Sequence, residues 1–308
     1  MTEFRNLDFA FAAQVSLVFF TGLVFGSFLN VCRVRLPAGE SIAWPGSHCP
    51  RCQRPLLWWQ NLPLFSWLVL RGRCYGCREP ISALYPLYEL SIGLLWAGCA
   101  ASVLSQAAPP SRGQLIQAVA MAVFCWLLVL LAALDGEHLW LPDALTLPAI
   151  ALGLLYRLGL AWLAPQPVGP AAGALLRFAG LAPSPMAAVV LYVFSALAAA
   201  ALVLVIRLGY WLVRRREGMG LGDAKLMAAL GAWLGLGGAL DAFFLAVLAA
   251  TLTALFWLAW LIWIAARHKN RSWASLPLPL GTFLSIAALS EVFRPEWLWT
   301  LWSRIFLP

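Results

Sequence analysis

Long apolar runs recur along the whole of this chain, and they constrain it more than any other feature, because a bilayer-crossing helix needs about 20 mainly apolar residues in succession. Read against the Pro, Gly and charge punctuation between them, the runs predict eight helices near residues 9–32, 83–107, 114–134, 141–163, 186–213, 224–238, 241–266 and 277–293. The sixth and eighth are short and carry glycine or proline, and the 164–185 stretch has room for a re-entrant segment. With 62% hydrophobic and 11% charged residues and a mean hydropathy of +0.82, the chain leaves no soluble domain over. The expected fold class is an all-α polytopic membrane protein with about eight transmembrane helices and one small polar loop domain. The expected division is a first transmembrane helix at 1–32, a polar loop at 33–82 and a transmembrane bundle at 83–308. Phe9 to Cys32 follows no basic n-region and precedes no small-residue cleavage site, so it is expected to stay as the first span.

Charge sets the orientation. Seven arginines fall between Arg33 and Arg78, four basic residues between Arg214 and Lys225, and Arg267, Lys269 and Arg271 follow the seventh run. Eight spans put all fourteen on one face, against Arg5, Arg112, Arg177, Arg294 and Arg304 on the other. The first face is therefore expected to be cytoplasmic, with both termini outside. Basic residues confined to short loops explain the formal charge of +8 through topology, so the lipid bilayer is the expected partner and nucleic acid is not.

The polar loop carries Cys49-Pro-Arg-Cys52 and Cys74-Tyr-Gly-Cys77, two Cys-x-x-Cys knuckles 21 residues apart. Each knuckle can offer two sulfurs to one tetrahedral ion, which is the spacing logic of a four-cysteine zinc site; disulfides would not persist in the cytosol. Four protein ligands leave no open position, so the zinc would be structural. His48 is a candidate substitute ligand beside the first knuckle. Cys32, Cys99 and Cys125 lie in apolar spans and read as small buried hydrophobes.

Ionisable groups in or beside spans are costly and are candidates for function. Four stand out: Glu89, Asp135, Asp143 and Asp223, all toward the expected cytoplasmic side. Asp223 closes the run Glu217-Gly-Met-Gly-Leu-Gly-Asp223-Ala-Lys225, in which Gly220 and Gly222 let backbone approach backbone or an extended substrate. Singly, Asp223 also reads as a helix N-cap and Asp135 as a solvated residue after a helix. Together they suit a dyad, in which two close carboxylates share one proton. The ionised member activates water for attack on a peptide carbonyl while the protonated one donates to the developing oxyanion. No His-Glu-x-x-His or Gly-x-Ser-x-Gly pattern offers another chemistry.

Gly220-Leu-Gly-Asp223 resembles the Gly-x-Gly-Asp signature of intramembrane aspartyl proteases, and its extension to Lys225 resembles the bacterial type IV prepilin peptidase family. Gly26-Ser-Phe-Leu-Asn-Val31, Arg35-Leu-Pro37, Asn61-Leu-Pro63, Leu70-Arg-Gly-Arg-Cys74, Tyr85-Pro86, Glu89, Leu141-Pro-Asp143 and Pro279-Leu-Gly281 agree with that family in order along the chain. The resemblance implies a bifunctional enzyme of the bacterial inner membrane that cuts the basic leader from type IV prepilins or type II secretion pseudopilins after a glycine. It further implies N-methylation of the new terminus with S-adenosylmethionine, with Asp135 and Asp223 as catalytic aspartates. Gly220, Gly222, Lys225 and Asp143 are their supporting motif, and nothing marks the S-adenosylmethionine site. Leu84 replaces a commonly basic residue and Thr282 a common proline; neither is expected to touch the aspartates. The alternatives are a dyad protease without methyl transfer, similar to preflagellin peptidases, and a transporter, although a transporter would carry its acids deeper in the helices.

Overall fold

Helix ends in this protein follow local chemistry, as the computed structural model shows for residues 2–105, 110–163, 173, 177, 182, 184–216, 218–265 and 278–295. The helices are α1 (Thr2–Arg35), α2 (Phe65–Val69), α3 (Leu84–Leu104), α4 (Arg112–His138), α5 (Asp143–Leu163), α6 (Pro185–Arg214), α7 (Leu221–Ala265) and α8 (Leu280–Phe293). Ser184 caps α6 by accepting the Ala187 N–H at 3.1 Å, with Pro185 in the first turn where its missing donor costs nothing. Arg215 then ends α6 in a left-handed conformation, φ 53°, donating to Trp211 O.

Six helices among the described residues are long and apolar enough to cross a membrane, and α8, at 14 residues, is a shorter apolar helix. The expected sixth and seventh spans are the two parts of α7. Their division falls at Gly235, not near residue 240, because Gly235 takes φ 80° and ψ 176°, a conformation closed to residues with a side chain. The re-entrant segment expected in 164–185 and the basic cluster at Arg267, Lys269 and Arg271 lie outside the described residues.

The chain forms two compact units, residues 1–130 and 131–308. In the first, α1 packs on α3 through small residues. A Cβ at Gly22 would stand 2.9 Å from the Gly93 Cα, and one at Gly26 would stand 2.6 Å from the Glu89 Cα, so the two backbones touch along Gly22-Leu-Val-Phe-Gly26. Trp126 donates from Nε1 to Phe25 O at 2.9 Å and stacks on Phe28, adding the first part of α4 to this packing.

In the second unit α7 packs against α5, α6 and α8. Beside the α7 break, Trp233 stacks on Tyr156 and donates to Ala149 O at 2.7 Å. Arg157 donates to Trp233 O and lies over the Tyr192 ring, so it occupies a carbonyl that the broken helix releases.

The glycine contact between α1 and α3 leads to a paired expectation. Gly26→Leu should lower the thermal unfolding temperature of the purified protein, because overpacking of this kind costs about 1–3 kcal/mol. Gly159→Leu should leave it unchanged, since an added Cβ there meets nothing within 4 Å.

Candidate functional site

In the second unit, three helix starts and one helix end bring together Asp135, Asp143 and Asp223, three of the four acids singled out in the sequence. Asp135 lies in the last turn of α4 and is only 6% exposed. Its Oδ2 accepts the Thr282 backbone N–H at 2.7 Å and lies 3.2 Å from the Thr282 hydroxyl. That hydroxyl also reaches Ala132 O at 3.0 Å, and its single hydrogen serves one acceptor at a time. Asp135 thus sits at the N-terminal end of α8, where orphan donors and the helix dipole favour a carboxylate. The approach requires Gly281, since a Cβ there would stand 3.0 Å from both Cγ and Oδ2 of Asp135.

Asp223 lies in the first turn of α7 and is half-buried. It is not the N-cap. Its Oδ2 instead reaches back to accept the Gly220 N–H at 3.1 Å, as the acidic member of a capping box does. Asp223 and Asp135 are close enough to interact electrostatically. Leu141 fits between the two helix starts that carry these groups: a Cβ at Gly222 would stand 2.9 Å from Leu141 Cβ, and one at Gly281 would stand 2.9 Å from Leu141 Cδ1. Lys225 donates from Nζ to Asp143 Oδ1, tying the first turn of α7 to that of α5. The supporting positions Gly220, Gly222, Lys225 and Asp143 therefore all belong to this assembly of helix starts.

Two residues carry more here than sequence reasoning assigned them. Thr282 was expected not to touch the aspartates, yet it supplies both donors to Asp135 Oδ2. Leu141 appeared only as part of a motif, yet it spaces Gly222 from Gly281. Glu89, grouped with the aspartates by its setting in a span, belongs to the first unit, where its Oε2 accepts the Leu64 N–H at 2.7 Å.

The polar loop of the first unit brings its four knuckle sulfurs together. Cys49, Cys52, Cys74 and Cys77 have ligand atoms all within 4.8 Å of one another, and none is in a disulfide. The two knuckles are local copies. Gln53 N–H returns to Cys49 O at 2.9 Å and Arg78 N–H to Cys74 O at 3.0 Å. Gln53 and Arg78 take matching left-handed φ values of 58° and 59°, and the bridges His48–Pro55 and Arg73–Pro80 close both turns. This short repeat is seven residues long, and in residue types only Cys-x-x-Cys-x-x-Pro is shared.

A tetrahedral ion with metal–sulfur bonds of about 2.3 Å needs sulfurs about 3.8 Å apart. Cys49 Sγ and Cys77 Sγ are 3.8 Å apart, so the residues fit a tetrathiolate ion. The Cys77 backbone N–H, opposed by burial and helped by the Gly76 N–H and neighbouring thiols, lowers the Cys74 thiol to about 6. At Cys77 the Glu79 N–H is outweighed by burial and neighbouring thiols, which raise that thiol to about 11, so the first negative charge of the cluster falls on Cys74. His48 places Nδ1 3.0 Å from Gly46 O and is not part of the sulfur cluster. Cys32, Cys99 and Cys125 are buried and free, as expected of apolar packing residues.

Comparison with known proteins covers most of the chain. Residues 20–103 match the Bacterial Peptidase A24 N-terminal domain, and residues 122–255 match the Type IV leader peptidase family. The "Prepilin leader peptidase/N-methyltransferase" of Aeromonas hydrophila is 34% identical over 317 residues, covering 94% of this chain and 90% of the relative. The protein of the same name from Klebsiella pneumoniae is 38% identical over 238 residues, covering 73% and 89%. The one from Xanthomonas campestris pv. campestris is 35% identical over 292 residues, covering 86% of each. No solved structure gives a significant match.

The thiolate cluster makes a metal prediction. Elemental analysis of the purified protein should find one tetrathiolate-bound ion per chain, and replacing both Cys49 and Cys52 by serine should remove it. A metal-free wild-type protein would refute the assignment.

Proposed function

Because this chain belongs to the type IV leader peptidase family, we propose that it cleaves the basic leader from a type IV prepilin or type II secretion pseudopilin after a glycine, then N-methylates the new terminal residue. The observation that carries the proteolytic half is the meeting of Asp135 and Asp223 at helix termini in the second unit, each held by backbone donors.

In this reading the two carboxylates hold one proton between them, and that proton belongs to the pair. The carboxylate form takes a proton from water as the oxygen attacks the scissile carbonyl. The protonated partner donates to the carbonyl oxygen, and collapse of the adduct releases the new amine with a proton returned by the pair. Thr282 and Gly220 fix one oxygen of each carboxylate, which leaves the other free to face water and substrate. Extended substrate can pair with backbone at Gly220, which is exposed and free of a side chain.

The bundle is multi-pass, and we place it in the bacterial inner membrane with the dyad toward the cytoplasm. A prepilin leader is basic and stays on that side, and its first mature residues are apolar, so the scissile bond lies at the interface. The ion of the four-cysteine cluster is assigned as zinc, in a structural role that folds the loop of residues 33–82 as its own element. S-adenosylmethionine, as methyl donor, supplies an electrophilic methyl group on a cationic sulfur. The chain must hold that cation and admit a deprotonated amine beside it.

Two substitutions test the dyad and its support. Asp135→Asn or Asp223→Asn should reduce leader cleavage by more than about 100-fold in a prepilin processing assay while the protein still accumulates, because asparagine keeps the shape but shuttles no proton. Near-normal cleavage by either variant would remove that residue from the pair. Thr282→Val keeps the N–H and the branched shape but loses the hydroxyl, and it should lower kcat by about 2- to 10-fold with little change in KM.

A further inference from the structure

An arginine within a spanning helix is costly, and Arg207 lies about two turns before the end of α6 with Leu204, Leu208 and Trp211 around it. The proteolytic mechanism described above gives it no part. It is half-buried, and its Nη1 donates to Met219 O at 3.1 Å.

The path of the chain explains why these two residues meet. Arg215 ends α6 in its left-handed conformation and lays its guanidinium over the Trp211 ring, 4.9 Å from the centroid. The chain then runs back along α6, so that Gly218 lies against Tyr210 and Met219 beside Arg207. A Cβ at Gly218 would stand 2.5 Å from Tyr210 Cδ1, so only glycine permits the approach.

Met219 O and the Gly220 N–H are the two ends of one peptide unit. The oxygen accepts from Arg207, and the N–H donates to Asp223 Oδ2 at 3.1 Å. A peptide unit is planar and stiff, so fixing its oxygen fixes the direction in which its hydrogen points. A charged donor on the oxygen also polarises the amide and strengthens the bond that the amide donates. Guanidinium, peptide and carboxylate thus form one chain of hydrogen bonds. A guanidinium in direct contact with the carboxylate would hold the acid ionised and deny the pair its shared proton. One intervening peptide lets the cation orient the acid from a distance.

We infer that Arg207 is a positioning residue for proteolysis, which aims the Asp223 carboxylate through the Met219–Gly220 peptide. The inference rests on the proteolytic reading of the aspartate pair given above.

The test uses the full chain in lipid nanodiscs and measures cleavage of a prepilin. Arg207→Gln should lower kcat roughly 5- to 20-fold and leave KM within about twofold, because the contact acts on the carboxylate and not on the substrate. Arg207→Lys keeps a charged donor and should run at least about threefold faster than the glutamine variant. Arg214→Gln removes the same charge from the exposed end of the same helix and should cleave as wild type does. A normal kcat in Arg207→Gln, a loss confined to KM, equal losses in the glutamine and lysine variants, or an equal loss in Arg214→Gln overturns the positioning role. A magnetic-resonance readout needs no variant to fold: Met219-Gly220 is the only Met-Gly pair in the sequence, so carbon-13 at methionine carbonyls and nitrogen-15 at glycines leave one coupled peptide signal. Its proton should exchange slowly with solvent in wild-type protein and faster in Arg207→Gln, and rapid exchange in the wild type overturns the relay. Wild-type protein that shows the protected amide but cuts no prepilin overturns the proteolytic reading instead.

Discussion

A carboxylate buried at the end of a membrane helix is tolerable only where donors meet it, and the second unit is organised around that requirement at Asp135. The donors are the unpaired N–H groups at the start of α8, so the carboxylate and the helix terminus satisfy each other. For the two to meet, residue 281 must lack a side chain; Leu141 fills the gap toward Gly222, and Lys225 pairs with Asp143 beside them. Asp223 is then delivered by the same assembly, with its own carboxylate turned back onto Gly220 N–H. One polar contact and a few small residues thus set the geometry on which the proposed chemistry depends.

The polar loop solves a different problem. It has few apolar residues to bury, and its order comes from two copies of one tight turn facing each other across four sulfurs. Thiols gathered this closely repel once ionised, and a bound dication would turn that repulsion into the force that closes the loop. Glu89 carries the ordering on to α3 through Leu64, which joins the cysteine loop, a strained backbone position and a buried carboxylate in one connected element.

Much of this was legible in the sequence because it depends on short-range spacing. The knuckles, the Gly-x-Gly-Asp run and most span positions are local patterns, and each appears where expected. What escaped was tertiary. The Thr282 contact links residues 147 positions apart, and a reading that treats a departure from a family pattern as peripheral has no means of placing it. The break in α7 was placed a few residues late because Gly235, Gly237 and Gly238 are equivalent as letters, and only the backbone distinguishes the one that turns. The internal repeat of the loop escaped because its likeness lies in dihedral angles more than in residue types.

The same break also limits the length of the helix that carries Asp223. α5 and α7 both start beside the dyad, with Lys225 joined to Asp143, and α6 returns the chain between them. Were the run from Leu221 to Ala265 one straight rod, it would extend about 68 Å, roughly twice the thickness of a bilayer's hydrocarbon core. A single backbone conformation at Gly235 interrupts that rod, so a run too long for one crossing is divided beside the helix that carries Asp223.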